Sequence, residues 1–166
     1  IPVLSEESAR IDYSERAGWQ RFWLVDPLDG TKEFVNRNGE FTVNIALIDN
    51  GAPLLGVVYV PVTGMCYLAV RGQGAWKEQG GCNRMPIRVR SYRGGHATVV
   101  ASRSHRGDAV DKFLANLKAR EGEYDTASLG SSLKLCRVAE GAADVYPRLG
   151  PTSEWDTAAA QCVVES

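Results

Sequence analysis

The sequence predicts a mixed α/β fold, a layered α+β sandwich in which an antiparallel sheet lobe is followed by a smaller α/β lobe. Three observations carry that expectation. Residues 41–70 read as short apolar strands separated by turn residues. Residues 97–166 alternate strand-like and helix-like runs. No internal repeat and no low-complexity linker divides the chain, so its 166 residues read as one layered domain. Its lobes, 1–93 and 94–166, meet near Gly94-Gly95.

The elements follow in order. Val3-Leu4 is a candidate strand ending in the acidic pair Glu6-Glu7. Phe22 to Val25 is a short apolar run ended by Asp-Pro, as a buried strand would be. Thr31 to Arg37 suits a short helix after Gly30. Residues 41–48 alternate, with Phe41, Val43, Ile45 and Leu47 on one face. Asp49-Asn50-Gly51 is a hairpin turn signal, with 54–60 as its second strand and Met65 to Val70 as a third. Trp76 to Val89 adds a further hairpin around Gly80-Gly81. Ala97 to Ala101 reads as a strand. Asp108 to Arg120 places Val110, Phe113, Leu114 and Leu117 on one helical face. Ser131 or Ser132 is placed to cap a helix reaching about Glu140 and stopped by Gly141. Val145-Tyr146 is a short strand, and Ser153-x-x-Asp156 resembles a capping box opening the last helix.

Composition narrows the function classes. Hydrophobic residues at 44% and charged residues at 23% are ordinary for a globular protein, which excludes whole-chain disorder. The longest mostly apolar stretch, 54–62, is broken by Gly56 and Pro61, so no integral membrane helix is expected. A net charge of -1 argues against a general nucleic-acid binder. Residues 84–107 nevertheless hold six arginines, two histidines and no acid. That stretch is read as a solvated strand edge or as a positive rim near a phosphate. Cys66, Cys82, Cys136 and Cys162 form no Cys-x-x-Cys pair, so free thiols in a cytoplasmic setting are expected rather than zinc. The chain opens on Ile1 and its last helix lacks a stop signal, so it reads as the central part of a longer domain.

The chemistry centres on Asp26-Pro27-Leu28-Asp29-Gly30-Thr31. Pro27 favours a tight turn, and a turn would aim Asp26 and Asp29 at a common centre. Two such carboxylates repel unless a cation lies between them, and hard oxygen ligands in a turn suit Mg²⁺. The turn also exposes the Leu28 carbonyl as a further ligand. Gly30 allows close backbone approach, and its N–H with that of Thr31 would face an anion. The plain alternative is a structural Asp-Pro turn. Glu6 and Asp156, beside Trp155, supply two more acids, with a solvated pair and a helix cap as their own plain alternatives.

Taken together these segments resemble the inositol monophosphatase superfamily. Residues 1–7, the Asp-Pro-Leu-Asp-Gly-Thr hexapeptide and Glu154-Trp155-Asp156-Thr157-Ala158-Ala159 are similar to its three metal motifs. Residues 25–48, with Lys32-Glu33 and Asn38-Gly39-Glu40-Phe41, and residues 129–160 look like the branch of 3'(2'),5'-bisphosphate nucleotidases. The resemblance covers nearly the whole chain. It implies an inositol-monophosphatase-like fold and two or three Mg²⁺ ions. Glu6, Asp26 and the Leu28 carbonyl would hold one. Asp26, Asp29 and Asp156 would hold a second, with Asp26 bridging. Glu6 is the better match than Glu7. The backbone of 28–31 and the Thr31 hydroxyl would contact the scissile phosphate and the attacking water. Such a site clamps the phosphate and makes a bound water acidic, so no side-chain nucleophile is needed.

The resemblance further implies adenosine 3',5'-bisphosphate as a small-molecule substrate, cleaved to AMP and phosphate in sulfur assimilation. It implies a cytoplasmic enzyme, or one peripheral to the inner membrane. Gly130, Ser131, Ser132 and Lys134 lie in a branch-typical stretch and would reach the nucleotide, against the alternative of a helix cap and a surface Lys. Arg103 and Arg106 are candidates for the second phosphate. Two rival readings stand beside this one: an inositol or other sugar-phosphate phosphatase, and a non-catalytic protein that only binds metal or nucleotide. Relatives carry a further Asp before the first motif that pairs with the counterpart of Thr31, and this sequence has no equivalent.

Overall fold

The computed structural model describes residues 1–8, 10–102 and 107–166. Seven strands form one sheet in sequence order: β1 (Val3–Ser5), β2 (Arg21–Asp29), β3 (Thr42–Asp49), β4 (Ala52–Val60), β5 (Met65–Val70), β6 (Gly74–Gln79) and β7 (Cys82–Ile87). All neighbours are antiparallel except β1, which runs parallel to β2. The expected meander is therefore present, with one strand added at its edge. Asn50 and Gly51 both sit at positive φ, 51° and 77°, as a two-residue hairpin turn between twisted strands requires. Short helices α1 (Tyr13–Arg16) and α2 (Thr31–Val35) flank β2, so α2 ends two residues before the expected Arg37.

Alternation on β3 runs as expected, but its most buried face is the less apolar one. Thr42, Asn44, Ala46 and Ile48 are buried, whereas Val43, Ile45 and Leu47 are only half-buried. The reason lies in what covers each side. The helices α4 (Leu133–Ala139) and α5 (Glu154–Glu165) share a core with the side of the sheet that carries Leu24, Ala46, Val58, Tyr67 and Ala69. Helix α5 presents Ala158, Ala159, Ala160 and Cys162 to that core. Small residues let the helix approach until a side chain at Gly56 of β4 would have no room.

The second sheet has two parallel strands, β8 (Ala97–Ser102) and β9 (Tyr124–Leu129), joined through helix α3 (Asp108–Glu121). Strand β9 has no counterpart in the sequence reading. Its residues, Tyr-Asp-Thr-Ala-Ser-Leu, carry little apolar alternation, and parallel pairing to β8 makes it a strand. Val110 and Leu114 of α3 pack on the fully buried Val99, with Phe113 and Leu117 beside them, as the helical spacing predicts. Val145 makes a single parallel bridge to Val99. Among the described residues no helix is long and apolar enough to cross a membrane.

Ion pairs tie the elements together. Glu140, at the end of α4, has a nearly buried side chain that accepts from Lys77 Nζ at 2.8 Å, Arg137 Nη1 at 2.5 Å and Tyr67 Oη at 3.3 Å. Removing it leaves the half-buried Lys77 ammonium unpaired, so Glu140→Ala is expected to cost about 2 kcal/mol. Urea unfolding would show this as a lower midpoint at unchanged slope. The basic stretch is partly consumed in the same manner. Arg84 pairs with Glu78 at 2.8 Å, and Arg90 pairs with Asp144, which also accepts the Thr98 N–H at 2.6 Å. Arg103 and Arg106 lie outside the described residues.

Candidate metal and phosphate site

Asp-Pro-Leu-Asp does not form the expected turn. Strand β2 continues through it to Asp29, and its register against β3 slips between Asp26 and Asp29. The irregularity takes over the role of the turn. The Leu28 N–H folds back to donate to Asp26 Oδ1 at 2.9 Å, a bond that an unbroken ladder would not make. The chain then reverses at Gly30, whose φ of 93° is left-handed, and enters α2 at Thr31. A Cβ on Gly30 would stand 3.3 Å from both Glu33 Oε2 and Ser131 Cβ, so the reversal is also a place of close approach.

Asp26 is buried, 1% exposed, and points to the same side as its partner Asn44. Among the described residues its Oδ2 has no hydrogen-bond partner. Burial pushes its pKa up to about 7; the Leu28 N–H opposes the shift, and the charges of Asp29 and Glu6 add to it. Strand β1 accounts for Glu6. The Glu6 N–H donates to Val25 O at 3.2 Å, extending the parallel pairing by one residue and setting an exposed Glu6 beside Asp26. A buried carboxylate oxygen without a donor, next to two further carboxylates, is the environment a cation would complete. Among the described residues no group of three acidic, thiol or imidazole side chains yet closes around one point.

Asp29 and Asp156 face a common cleft, which Gly30, Thr31, Glu33, Ser131, Ser132, Lys134, Tyr146, Arg148 and Thr152 also line. Burial raises the pKa of Asp29, the Ser132 N–H, Asn44 and Lys134 oppose the shift, and the charge of Asp156 adds to it. Asp156 also serves as the cap its position suggests. Its Oδ2 accepts from the Ser153 N–H at 2.9 Å and the Thr152 hydroxyl at 2.8 Å. The capping box is therefore present, with Asp in place of Glu or Gln.

Ser131 and Lys134 also belong to the cleft, and the alternative of a surface Lys is overturned. Lys134 is buried, 6% exposed. Its Nζ donates to Ser131 O at 2.6 Å and stands 5.3 Å from the centroid of the Tyr146 ring. Burial lowers its pKa, while Asp29, Glu33 and Glu40 counteract that. Ser131 has a left-handed φ of 47°, which turns its carbonyl to the ammonium. Ser132 stands at the N-cap of α4 but makes no side-chain cap; its hydroxyl enters a buried network with Thr42 and Asn44. Gly130 is held by its N–H donating to Glu40 Oε2 at 2.8 Å, and a Cβ there would collide with the Glu33 side chain.

The sequence reading passed over Arg148, Tyr146, Thr42 and Asn44. The strand residues had a usable signal. Thr42 and Asn44 are polar at alternate positions of an apolar strand, opposite Asp29 and Asp26 in register. Arg148 and Tyr146 had none, since they reach the cleft only through the path of the chain between Val145 and α5.

Comparison with known proteins agrees with this layout. The profile of the inositol monophosphatase family matches residues 1–166. The chain is 57% identical over 163 residues to the 3'(2'),5'-bisphosphate nucleotidase CysQ of Salmonella typhimurium, covering 98% of this chain and 63% of that protein. Identity to the Haemophilus influenzae protein of the same name is 36% over 165 residues, 99% of this chain and 60% of that protein. Among solved structures, CysQ from Bacteroides thetaiotaomicron superposes with a TM-score of 0.89 at 49% identity, covering 98% of this chain and 64% of that one. Mycobacterium tuberculosis SuhB superposes with a TM-score of 0.77 at 26% identity, covering 98% and 62%. The chain thus spans less than two thirds of the length of these relatives. It belongs to the inositol monophosphatase family.

Proposed function

We propose that the protein hydrolyses a phosphomonoester with Mg²⁺, the substrate being adenosine 3',5'-bisphosphate and the products AMP and phosphate. The observation that carries this reading is the opposition of charges in one cleft. Asp29 and Asp156 line it, Asp26 feels the charges of both Asp29 and Glu6, and Lys134 and Arg148 line the same cleft. Clustered acidic groups beside a lysine and an arginine in one cleft suit a divalent cation together with a substrate that carries two phosphates. The similarity to nucleotidases named CysQ points the same way.

In this reading Glu6, Asp26 and the Leu28 carbonyl would hold one Mg²⁺, and Asp26, Asp29 and Asp156 would hold a second. Bound Mg²⁺ neutralises charge on the phosphoryl oxygens and supplies acidity to the attacking water. The chain's own groups do the rest. Gly30 and Thr31 line the cleft at the start of α2, where backbone N–H groups and the Thr31 hydroxyl bind the scissile phosphate. Ser131 and Lys134 bind the nucleotide, with Arg148 at the second phosphate. Tyr146 forms a wall beside Lys134 and limits the water that reaches its ammonium.

The test is phosphate release by the purified protein from adenosine 3',5'-bisphosphate and from inositol 1-phosphate, with Mg²⁺ and then with excess EDTA. Release of AMP and phosphate that EDTA abolishes is the expected result. Preference for the inositol phosphate assigns the sugar-phosphate reading instead. Mg²⁺ and nucleotide binding without turnover assigns the non-catalytic one.

A further inference from the structure

Asp29 is held in an unusual way. Every polar contact it makes among the described residues lies at Oδ2: the Ser132 N–H donates at 2.5 Å and Asn44 Nδ2 at 3.3 Å, with Thr42 Oγ1 3.3 Å away. Behind these donors lies a closed set of side chains. Ser132 Oγ lies 2.8 Å from Asn44 Oδ1 and 2.8 Å from Thr42 Oγ1. Ser132, Asn44 and Thr42 are all buried, at 3%, 1% and 0% exposure.

Counting protons gives the set a direction. A hydroxyl has one hydrogen to donate, and Asn44 Oδ1 can only accept. The Ser132 hydroxyl therefore donates to Asn44 Oδ1, and the Thr42 hydroxyl donates to Ser132 Oγ. With Oδ1 so engaged, the Asn44 amide can face only one way, its N–H₂ toward Asp29. The reversed amide would set an oxygen against a carboxylate oxygen. Strand β3 supplies Thr42 and Asn44, and the start of α4 supplies Ser132, so the set also ties the sheet to the helix at the cleft.

We propose that Asn44, Ser132 and Thr42 are positioning residues: they saturate one oxygen of Asp29 so that its other oxygen is kept, in a fixed orientation, for a divalent cation. This rests on the function proposed above, which makes Asp29 a Mg²⁺ ligand. Two N–H donors on Oδ2 and, among the described residues, none on Oδ1 is the asymmetry expected of a ligand oriented through its far oxygen. A set that served only to fill the core would have no reason to converge on a single carboxylate oxygen at the cleft wall.

The experiment measures Mg²⁺ binding directly, by calorimetric titration of metal-stripped protein, alongside the melting temperature without metal. Asn44→Ala removes the side-chain amide that donates to Asp29 and is expected to weaken Mg²⁺ binding about tenfold. Ser132→Ala keeps the N–H donor but frees the Asn44 amide, and a smaller loss is expected. Thr42→Val weakens binding and Thr42→Ser restores it, because the hydroxyl is the active part. Wild-type Mg²⁺ affinity in both Asn44→Ala and Ser132→Ala, with only the melting temperature lowered, overturns the proposal. If Asn44→Ala does not fold, Ser132→Ala decides alone. Absence of Mg²⁺ binding by the unmutated protein would instead overturn the function itself, and this proposal with it.

Discussion

Asp26→Asn is expected to make the metal-free protein more stable at neutral pH and to abolish its stabilisation by Mg²⁺. Burial, with the charges of Asp29 and Glu6, raises the Asp26 pKa from its ordinary 3.8 to about 7. An acid that holds its proton more tightly when folded loses stability for the fold as it ionises. The loss begins above pH 3.8 and is complete above about pH 7. Asparagine carries no charge to bury, so it escapes that loss, which is on the order of 4 kcal/mol. Melts in EDTA should place the variant roughly 8–16 °C above the unmutated protein at pH 8, with the difference vanishing near pH 4. A difference that does not change with pH would refute the raised pKa. Added Mg²⁺ should lift the melting temperature of the unmutated protein and leave that of the variant where it was. Equal stabilisation of both would remove Asp26 from the metal site.

Gly56→Ala is expected to be the most damaging single-methyl change in the fold. The new Cβ would stand 2.2 Å from the Ala159 carbonyl oxygen and 2.7 Å from Cys162 Cβ. The first of these is helix backbone, so no side-chain rotation relieves the clash, and α5 has to move off the sheet. The cost is about 3 kcal/mol, which lowers the melting temperature by roughly 6–12 °C. Gly18→Ala is the control, because nothing lies within 4 Å of its added Cβ; its change should stay within about 0.5 kcal/mol. Displacement of α5 also carries Asp156, one turn before Ala159, away from Asp29. Activity should therefore fall further than the lost folded fraction accounts for. Equal melting temperatures for Gly56→Ala and the unmutated protein would show that the helix packs less closely than described.

Much of this architecture is legible in the order of residues because local rules and the fold agree. Asn50-Gly51 makes its hairpin by its own backbone preferences, and α3 shows its buried face in the spacing of Val110 and Leu114. The failures have a common physical cause. Strand β9 has little apolar pattern and exists through its partner β8. The alternation of β3 leaves open which of its sides enters the core, because helix α5, more than a hundred residues later, decides which face is covered. Pro27 suggested a turn, yet the slip in pairing with β3 holds Asp26 and Asp29 in one strand.

The candidate site divides along the same line. Residue types and their spacing determined the fold class, the acidic set Glu6, Asp26, Asp29 and Asp156, the Gly30-Thr31 helix start and the resemblance to a phosphatase family, because those depend on side-chain chemistry over a few residues. Only the tertiary structure decided that Lys134 is buried at the cleft, that Asp26 has an oxygen without a donor among the described residues, and that Thr42, Asn44 and Ser132 gather at one oxygen of Asp29. Each of those depends on desolvation and on donors brought together from distant strands and helices, and neither exists until the sheet and α4 have packed.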